Sequence, residues 1–254
     1  FAIVLHEPHR HSDLHVRPQC RANPKFAENY VQQFRKYEIY KKMHNAGVET
    51  YGEVSQPLRC VGGALRKVIP TATYMILVRD GRDVVRSALN RQHGRSRMNH
   101  AAVAPLPNDP YAAKWDSISD FEKMCWWWMD SYRMLLEHMP GVPIIQFEKV
   151  TKSWDYVRDN IVEPIGLNIT EEIYRDHLAK PTKNAAMKYV IPHWSEWDDE
   201  QKEIFDRVCG DWMRRLGYDY SWDESPKATA TKVAAPPASS SGSGSSTAAT
   251  PAGV

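Results

Sequence analysis

The clearest periodicity in the chain lies between Ile118 and His138. Phe121, Cys125, Trp128, Tyr132, Leu135 and Leu136 recur there at three- and four-residue spacing, which predicts a helix with one apolar face. Phe26, Tyr30, Phe34, Tyr37 and Tyr40 repeat in a similar way and predict a helix over 25–45, stopped by Gly47. Leu58 to Val68 also reads as a helix; its Gly62-Gly63 pair is read as a packing contact, and Pro70 closes it. Further helices are expected over 151–161, 170–179 and 198–216. Asp198 and Gln201 have capping-box spacing at the start of the last one, and Gly217 supplies its stop. Asn168-Ile169-Thr170 is a glycosylation sequon, but Asn168 or Thr170 also suits the cap of the helix that follows, with Glu171 and Glu172 in its first turn. The capping role requires no cellular assumption and is preferred.

Between these helices lie short apolar runs. Residues 72–78 read as a buried parallel strand, 50–54 as a short strand, and 141–147 as a turn and a strand. Strand and helix alternate without a fixed-period repeat, so one α/β domain is expected over residues 1–224, with a parallel sheet flanked by helices in three layers. From about residue 225 the composition shifts to Ala, Pro, Ser, Thr and Gly, and 225–254 is expected to be a disordered tail. The connection over 92–110 is longer than compact domains normally use. With Arg95 and Arg97 inside it and Arg91 just before it, it is assigned to acceptor binding.

Composition narrows the function classes without choosing one. The 33 basic and 31 acidic residues leave a formal charge of +2, which provides no field for a polyanion and argues against a nucleic-acid partner. Cys20, Cys60, Cys125 and Cys209 are far apart and form no C-x-x-C pair, so they read as buried thiols rather than a zinc site or a disulfide scaffold. No apolar run is long enough for a membrane segment. The chain opens on Phe1 and the apolar string to Leu5, so a targeting segment ahead of it stays open: the compartment reads as cytoplasm, or as Golgi lumen where an anchor precedes Phe1. Nothing in the sequence indicates the oligomeric state.

Candidate chemistry concentrates in the decapeptide Val78 to Ser87. A buried strand feeds a glycine turn and then a helix, with Arg79 at the strand's C-terminal edge, where open α/β sheets hold ligands. A helix start offers N–H groups and a positive dipole end, and a guanidinium fork binds phosphate oxygens in pairs, so Arg79 and Ser87 are candidates to grip one phosphate. The alternative is a surface turn in which Arg79, Asp80, Arg82 and Asp83 pair with one another and with solvent.

In this region the chain resembles the sulfotransferase superfamily that uses 3′-phosphoadenosine 5′-phosphosulfate. There a strand ending in Arg precedes a helix that carries Ser at this same spacing. Tyr51-Gly52-Glu53 is similar to the family's aromatic-Gly-Glu strand, and Val68 to Ala72 to its helix-Pro-strand lead-in. Val142 to Val150 resembles the strand ending in an aromatic-Glu pair, followed by Ile165-Gly166-Leu167, and Leu216-Gly217-Tyr218 resembles the family's usual close. The resemblance spans most of Tyr51 to Tyr218. It implies a P-loop-NTPase-like sulfotransferase fold and transfer of a sulfuryl group to a hydroxyl or amine on a carbohydrate, peptide or small-molecule acceptor, without a metal. It also implies that Arg79 and Ser87 bind the 3′-phosphate.

One family feature is missing from the 254 residues: the glycine-rich loop with Lys or Arg before Gly-Thr or Gly-Ser, which holds the 5′-phosphosulfate. In the family it precedes a segment like Phe1 to His11, so the chain reads as a fragment that starts just after it, with little activity and an apolar sheet edge left exposed. Two rivals stand beside this reading. One is a non-catalytic binding or interaction domain on the same scaffold; the other is a different nucleotide-handling fold such as a kinase relative.

The resemblance also nominates Glu7 as general base, with His6 as an alternative, against Glu7 as a merely solvated charge. Lys188, in a segment with Lys183 and Trp194, is a candidate cation for the 3′-phosphate. His6, His9, His11 and His15 are dense enough to raise a metal site, which Pro8 and the neighbouring arginines oppose. Within Trp126-Trp127-Trp128, Trp128 joins the apolar face of its helix; the other two either pack in the core or line a ligand pocket.

Overall fold

The computed structural model describes residues 2–92, 104–180 and 191–222. The order begins β1 (Ala2–His6), α1 (Arg10–Ala22) and α2 (Pro24–Tyr30), which passes through a π-helical turn (Val31–Arg35) into α3 (Lys36–Ala46). Next come β2 (Thr50–Val54), a 3₁₀ segment (Gln56–Val61), α4 (Gly62–Val68), β3 (Ile76–Val78) and α5 (Gly81–Gln92). After a 3₁₀ turn (Ala112–Lys114) follow α6 (Asp120–His138), β4 (Ile144–Gln146), α7 (Phe147–Val150) and α8 (Trp154–Val157), which ends in a second π-helical turn (Arg158–Val162). The order closes with α9 (Glu171–Ala179), a 3₁₀ turn (Trp194–Glu196) and α10 (Asp199–Arg215).

The arrangement is α/β with parallel pairing. β1 runs parallel to β2, β3 runs parallel to β4, and among the described residues the two pairs do not hydrogen-bond to each other. The single sheet expected from the sequence is therefore divided. β3 shows how its free edge is handled. Ile76 N–H donates to Pro143 O at 2.9 Å, so alternation turns the Leu77 peptide away from β4, and the Tyr132 hydroxyl donates to Leu77 O at 3.4 Å. The strand expected over 72–78 is also shorter, because Tyr74 leaves it and donates its hydroxyl to Leu65 O and Ile69 O, at the end of α4. Val4, Val54 and Leu77 are exposed on the strands.

Most predicted helices are present within a few residues. Ser119, Thr170 and Asp198 cap α6, α9 and α10, and Asp198 with Gln201 forms the full reciprocal capping box. β1 and α1 had no counterpart among the predicted elements.

The larger core gathers α5, α6 and α10 around Trp126, Trp128, Trp197, Phe205 and Met213, each with 2% or less of its surface exposed. Gly81 permits that approach: a Cβ there would lie 2.9 Å from the Trp128 ring and 3.1 Å from Phe205. A second cluster, with Cys20, Ala27, Val31, Val61 and Leu65, lies between α1, α2 and α4. The Gly62-Gly63 pair does pack as expected, against Met139 and His138 at the end of α6. All four cysteines are free and buried. No described helix is long and apolar enough to cross a membrane.

Candidate functional site

Arg79 follows β3 at its C-terminal end, with its side chain 41% exposed. Its guanidinium donates to Asp83 at 3.2 Å and lies 5.5 Å from the centre of the Phe147 ring. Asp83 is in the first turn of α5, and Ser87 is one turn further on, so Arg79, Asp83 and Ser87 line one face of the helix start. Ser87 is half-buried, and its hydroxyl makes no hydrogen bond to a described residue.

The turn beneath Arg79 is fixed from three directions. Asp80 N–H donates to one oxygen of Glu148 at 2.9 Å, and the Tyr218 hydroxyl donates to the other at 2.7 Å, joining the ends of β3, β4 and α10. Burial, together with the bond to the carboxylate, pushes the Tyr218 pKa up. Arg82 is 3% exposed. Its guanidinium forks onto Asp80 at 2.7–3.2 Å, donates to Ser221 O at 3.0 Å and lies 3.8 Å above the Trp194 ring.

Two expectations change here. The pairings of the surface-turn reading, Arg79 with Asp83 and Arg82 with Asp80, both form, but Arg82 is buried rather than solvated. The N–H groups of the helix start, expected to meet a phosphate, are partly taken: Arg82 N–H by the Asp80 carboxylate at 2.8 Å and Gly81 N–H by the Met213 sulfur at 3.4 Å. Those two N–H groups are not free to meet an anion.

Ile191, in the described end of the segment expected over the 3′-phosphate, is bonded to α5: its N–H donates to Asn90 at 3.2 Å, and Arg86 donates to its carbonyl oxygen at 3.4 Å. Burial lowers the His193 pKa, and Arg86 adds to the shift. Trp194 of this segment is the ring under Arg82. Lys183 and Lys188 lie outside the described residues, as do 93–103 of the connection assigned to the acceptor and the tail from residue 223.

No family model, curated protein or solved structure matches this chain.

Glu7 and His6 are at the C-terminal end of β1, where Glu7 N–H donates to Val54 O at 2.9 Å. Glu7 has a left-handed backbone, φ 45°, at a cost on the order of 1–2 kcal/mol for a residue with a Cβ, and its carboxylate pairs with Arg10. His6 is exposed. No described hydrogen bond or ion pair joins either residue to Arg79, which belongs to the other strand pair. His11 and His15 are exposed on α1, and no group of three or more metal-ligating side chains occurs among the described residues.

Behind Glu7, Arg35 is fully buried between Glu53 and Asp13, 3.7 Å from the latter. The Tyr30 and Tyr51 hydroxyls donate to these carboxylates at 2.7 and 2.8 Å. The burial of this network and of Arg82, and the bonds that tie Glu148 to the turn, escaped the sequence reading. The partners that join them to other segments are distant in the chain; the sequence had signalled only Glu148 through the aromatic-Glu pair, Glu53 through Tyr51-Gly52-Glu53, and the Arg82–Asp80 pairing of the surface turn. Of the tryptophans, Trp126 and Trp128 are core, whereas Trp127 lies 4.3 Å beneath the Arg59 guanidinium.

Proposed function

We propose that Arg79 and Ser87 bind the 3′-phosphate of 3′-phosphoadenosine 5′-phosphosulfate, and that the protein belongs to a sulfotransferase acting on a hydroxyl or amine acceptor. One observation carries this reading: a half-exposed guanidinium at a strand's C-terminal end shares a helix-start face with a serine hydroxyl that has no hydrogen-bond partner among the described residues. These residues fit the 3′-phosphate end of the nucleotide. The 5′-phosphosulfate end needs a glycine-rich loop that the 254 residues do not contain, so this chain by itself tests nucleotide binding rather than turnover. In the reaction, the acceptor oxygen or nitrogen attacks sulfur in line, the bond from sulfur to the 5′-phosphate oxygen breaks, and its electrons leave with 3′-phosphoadenosine 5′-phosphate. Glu7 is proposed to take the acceptor's proton, after releasing Arg10.

Asp83 competes for Arg79, and this makes the test two-sided. In calorimetry with 3′-phosphoadenosine 5′-phosphate, Arg79→Ala should weaken binding about ten- to a hundredfold, whereas Asp83→Asn should tighten it. Equal affinity in wild type and Arg79→Ala, or a preference for ATP, refutes the assignment. Binding that persists without turnover, once the loop is joined ahead of β1, favours a binding domain on the same scaffold.

A further inference from the structure

Three buried arginines meet where α1, the segment Gln56–Val61 and α6 pack together: Arg17, Arg21 and Arg59. Arg21 is neutralised, donating to Asp130 at 2.8 Å and to Ala104 O at 2.9 Å. The other two are not. Arg17 is 3% exposed and Arg59 7%, yet neither has a carboxylate within ion-pair distance among the described residues. Nε of both, and Nη2 of Arg59, are buried without a hydrogen-bond partner.

The local acids are already committed. Asp13, one helical turn before Arg17, accepts from Tyr30 and faces Arg35. Asp130 also accepts from Arg133 at 2.6 Å, which has further partners in Asp109 and Glu137. Trp127 covers one face of Arg59, an attraction that gives its N–H groups no acceptor. Burial lowers the Arg59 pKa to about 9, with repulsion from Arg17 as the next cause. With Asp130 set against Arg21, the charges of Arg17 and Arg59 remain uncompensated in the interior, where an unpaired ion is strongly disfavoured. A group carrying two negative charges and several acceptor oxygens would restore the balance.

We propose that Arg17 and Arg59 form a binding site for a tetrahedral dianion, a sulfate or phosphate group, at the junction of α1, Gln56–Val61 and α6. The site is independent of the reading of Arg79. The group is either a free sulfate or phosphate ion or a phosphate monoester carried by a larger molecule, since a sulfate ester has only one negative charge.

Equilibrium dialysis with radiolabelled sulfate, at ionic strength matched with chloride, tests it on the whole chain. Wild type should bind saturably at one equivalent, and Arg59→Met and Arg17→Met should each weaken binding at least about tenfold. In chloride alone, Arg59→Met should be no less stable to urea than wild type, since it removes an uncompensated charge; a clear loss would mean that Arg59 serves packing, and would overturn the site. Should a methionine variant not fold, Arg59→Lys retains the charge without the fork and should still weaken sulfate binding. Absence of saturable binding, or binding that these variants leave unchanged, also overturns the proposal. Displacement of sulfate by 3′-phosphoadenosine 5′-phosphate identifies an ester group, and failure to displace it identifies a free ion. Arg79→Ala should keep its sulfate binding, so loss of nucleotide binding there and loss of sulfate binding here are separate failures.

Discussion

Glu148 holds the turn that carries Arg79, and removing its carboxylate should cost the fold a calculable amount. Its two oxygens accept from Asp80 N–H at 2.9 Å and from the Tyr218 hydroxyl at 2.7 Å, both in part-buried surroundings. A hydrogen bond to a charged group contributes about 1.5–3 kcal/mol. Partial solvent access lets water replace some of each bond, so the lower end applies, and Glu148→Ala should destabilise by about 3 kcal/mol. Glu148→Gln keeps one carbonyl acceptor and should lose about half as much. Urea unfolding followed by tryptophan fluorescence suits a chain with nine tryptophans, and an unchanged m-value would show that only stability has moved. The loosened turn should also weaken nucleotide binding, with Arg79 itself untouched. A Glu148→Ala variant within about 1 kcal/mol of wild type, or a glutamine variant as unstable as the alanine one, would refute the view that this carboxylate ties the ends of β3, β4 and α10.

Two further predictions concern stability. Tyr30, Tyr51, Tyr218 and Tyr220 each donate to a carboxylate, that of Asp206 exposed and the other three buried or part-buried, and burial of the phenol with that bond pushes their pKa values up. A raised pKa means that the folded state holds its protons more tightly. This stabilisation is complete below the ordinary tyrosine value of about 10 and is lost as pH rises above it; in an ultraviolet titration these tyrosines should ionise only as the chain unfolds, and free ionisation near pH 10 with the fold intact contradicts this. Asp198→Ala removes the capping box of α10, where Asp198 accepts from Gln201 N–H at 2.8 Å and Gln201 returns a bond at 3.2 Å. It should cost about 1 kcal/mol in urea unfolding, and no change would show that the cap is replaced by water.

Much of the helical architecture could be read directly, because the signals that fix it are local. The apolar spacing of α6, the caps at Thr170 and Asp198 and the stop at Gly217 act within a few residues, and the structure follows them. β1 and α1 escaped for the same reason. β1 is a short apolar string that becomes a strand by pairing with β2, more than forty residues away, and α1 carries Pro18 inside it and buries Asp13 and Arg17 rather than an apolar stripe. The position of Arg79 at a strand end before a glycine turn was also legible, since strand, turn and helix follow one another in sequence.

Tertiary structure alone decided which charges are spent on one another. Nothing local distinguishes Arg82, buried over Trp194, from Arg79, half-open beside Asp83. Nothing local shows that Asp13, spaced to pair with Arg17, is instead held by Tyr30 and Arg35. Coulomb energy and desolvation depend on distance and burial in three dimensions. The sequence therefore determined where the helices run, and the packing of distant segments determined which arginines remain available to a ligand.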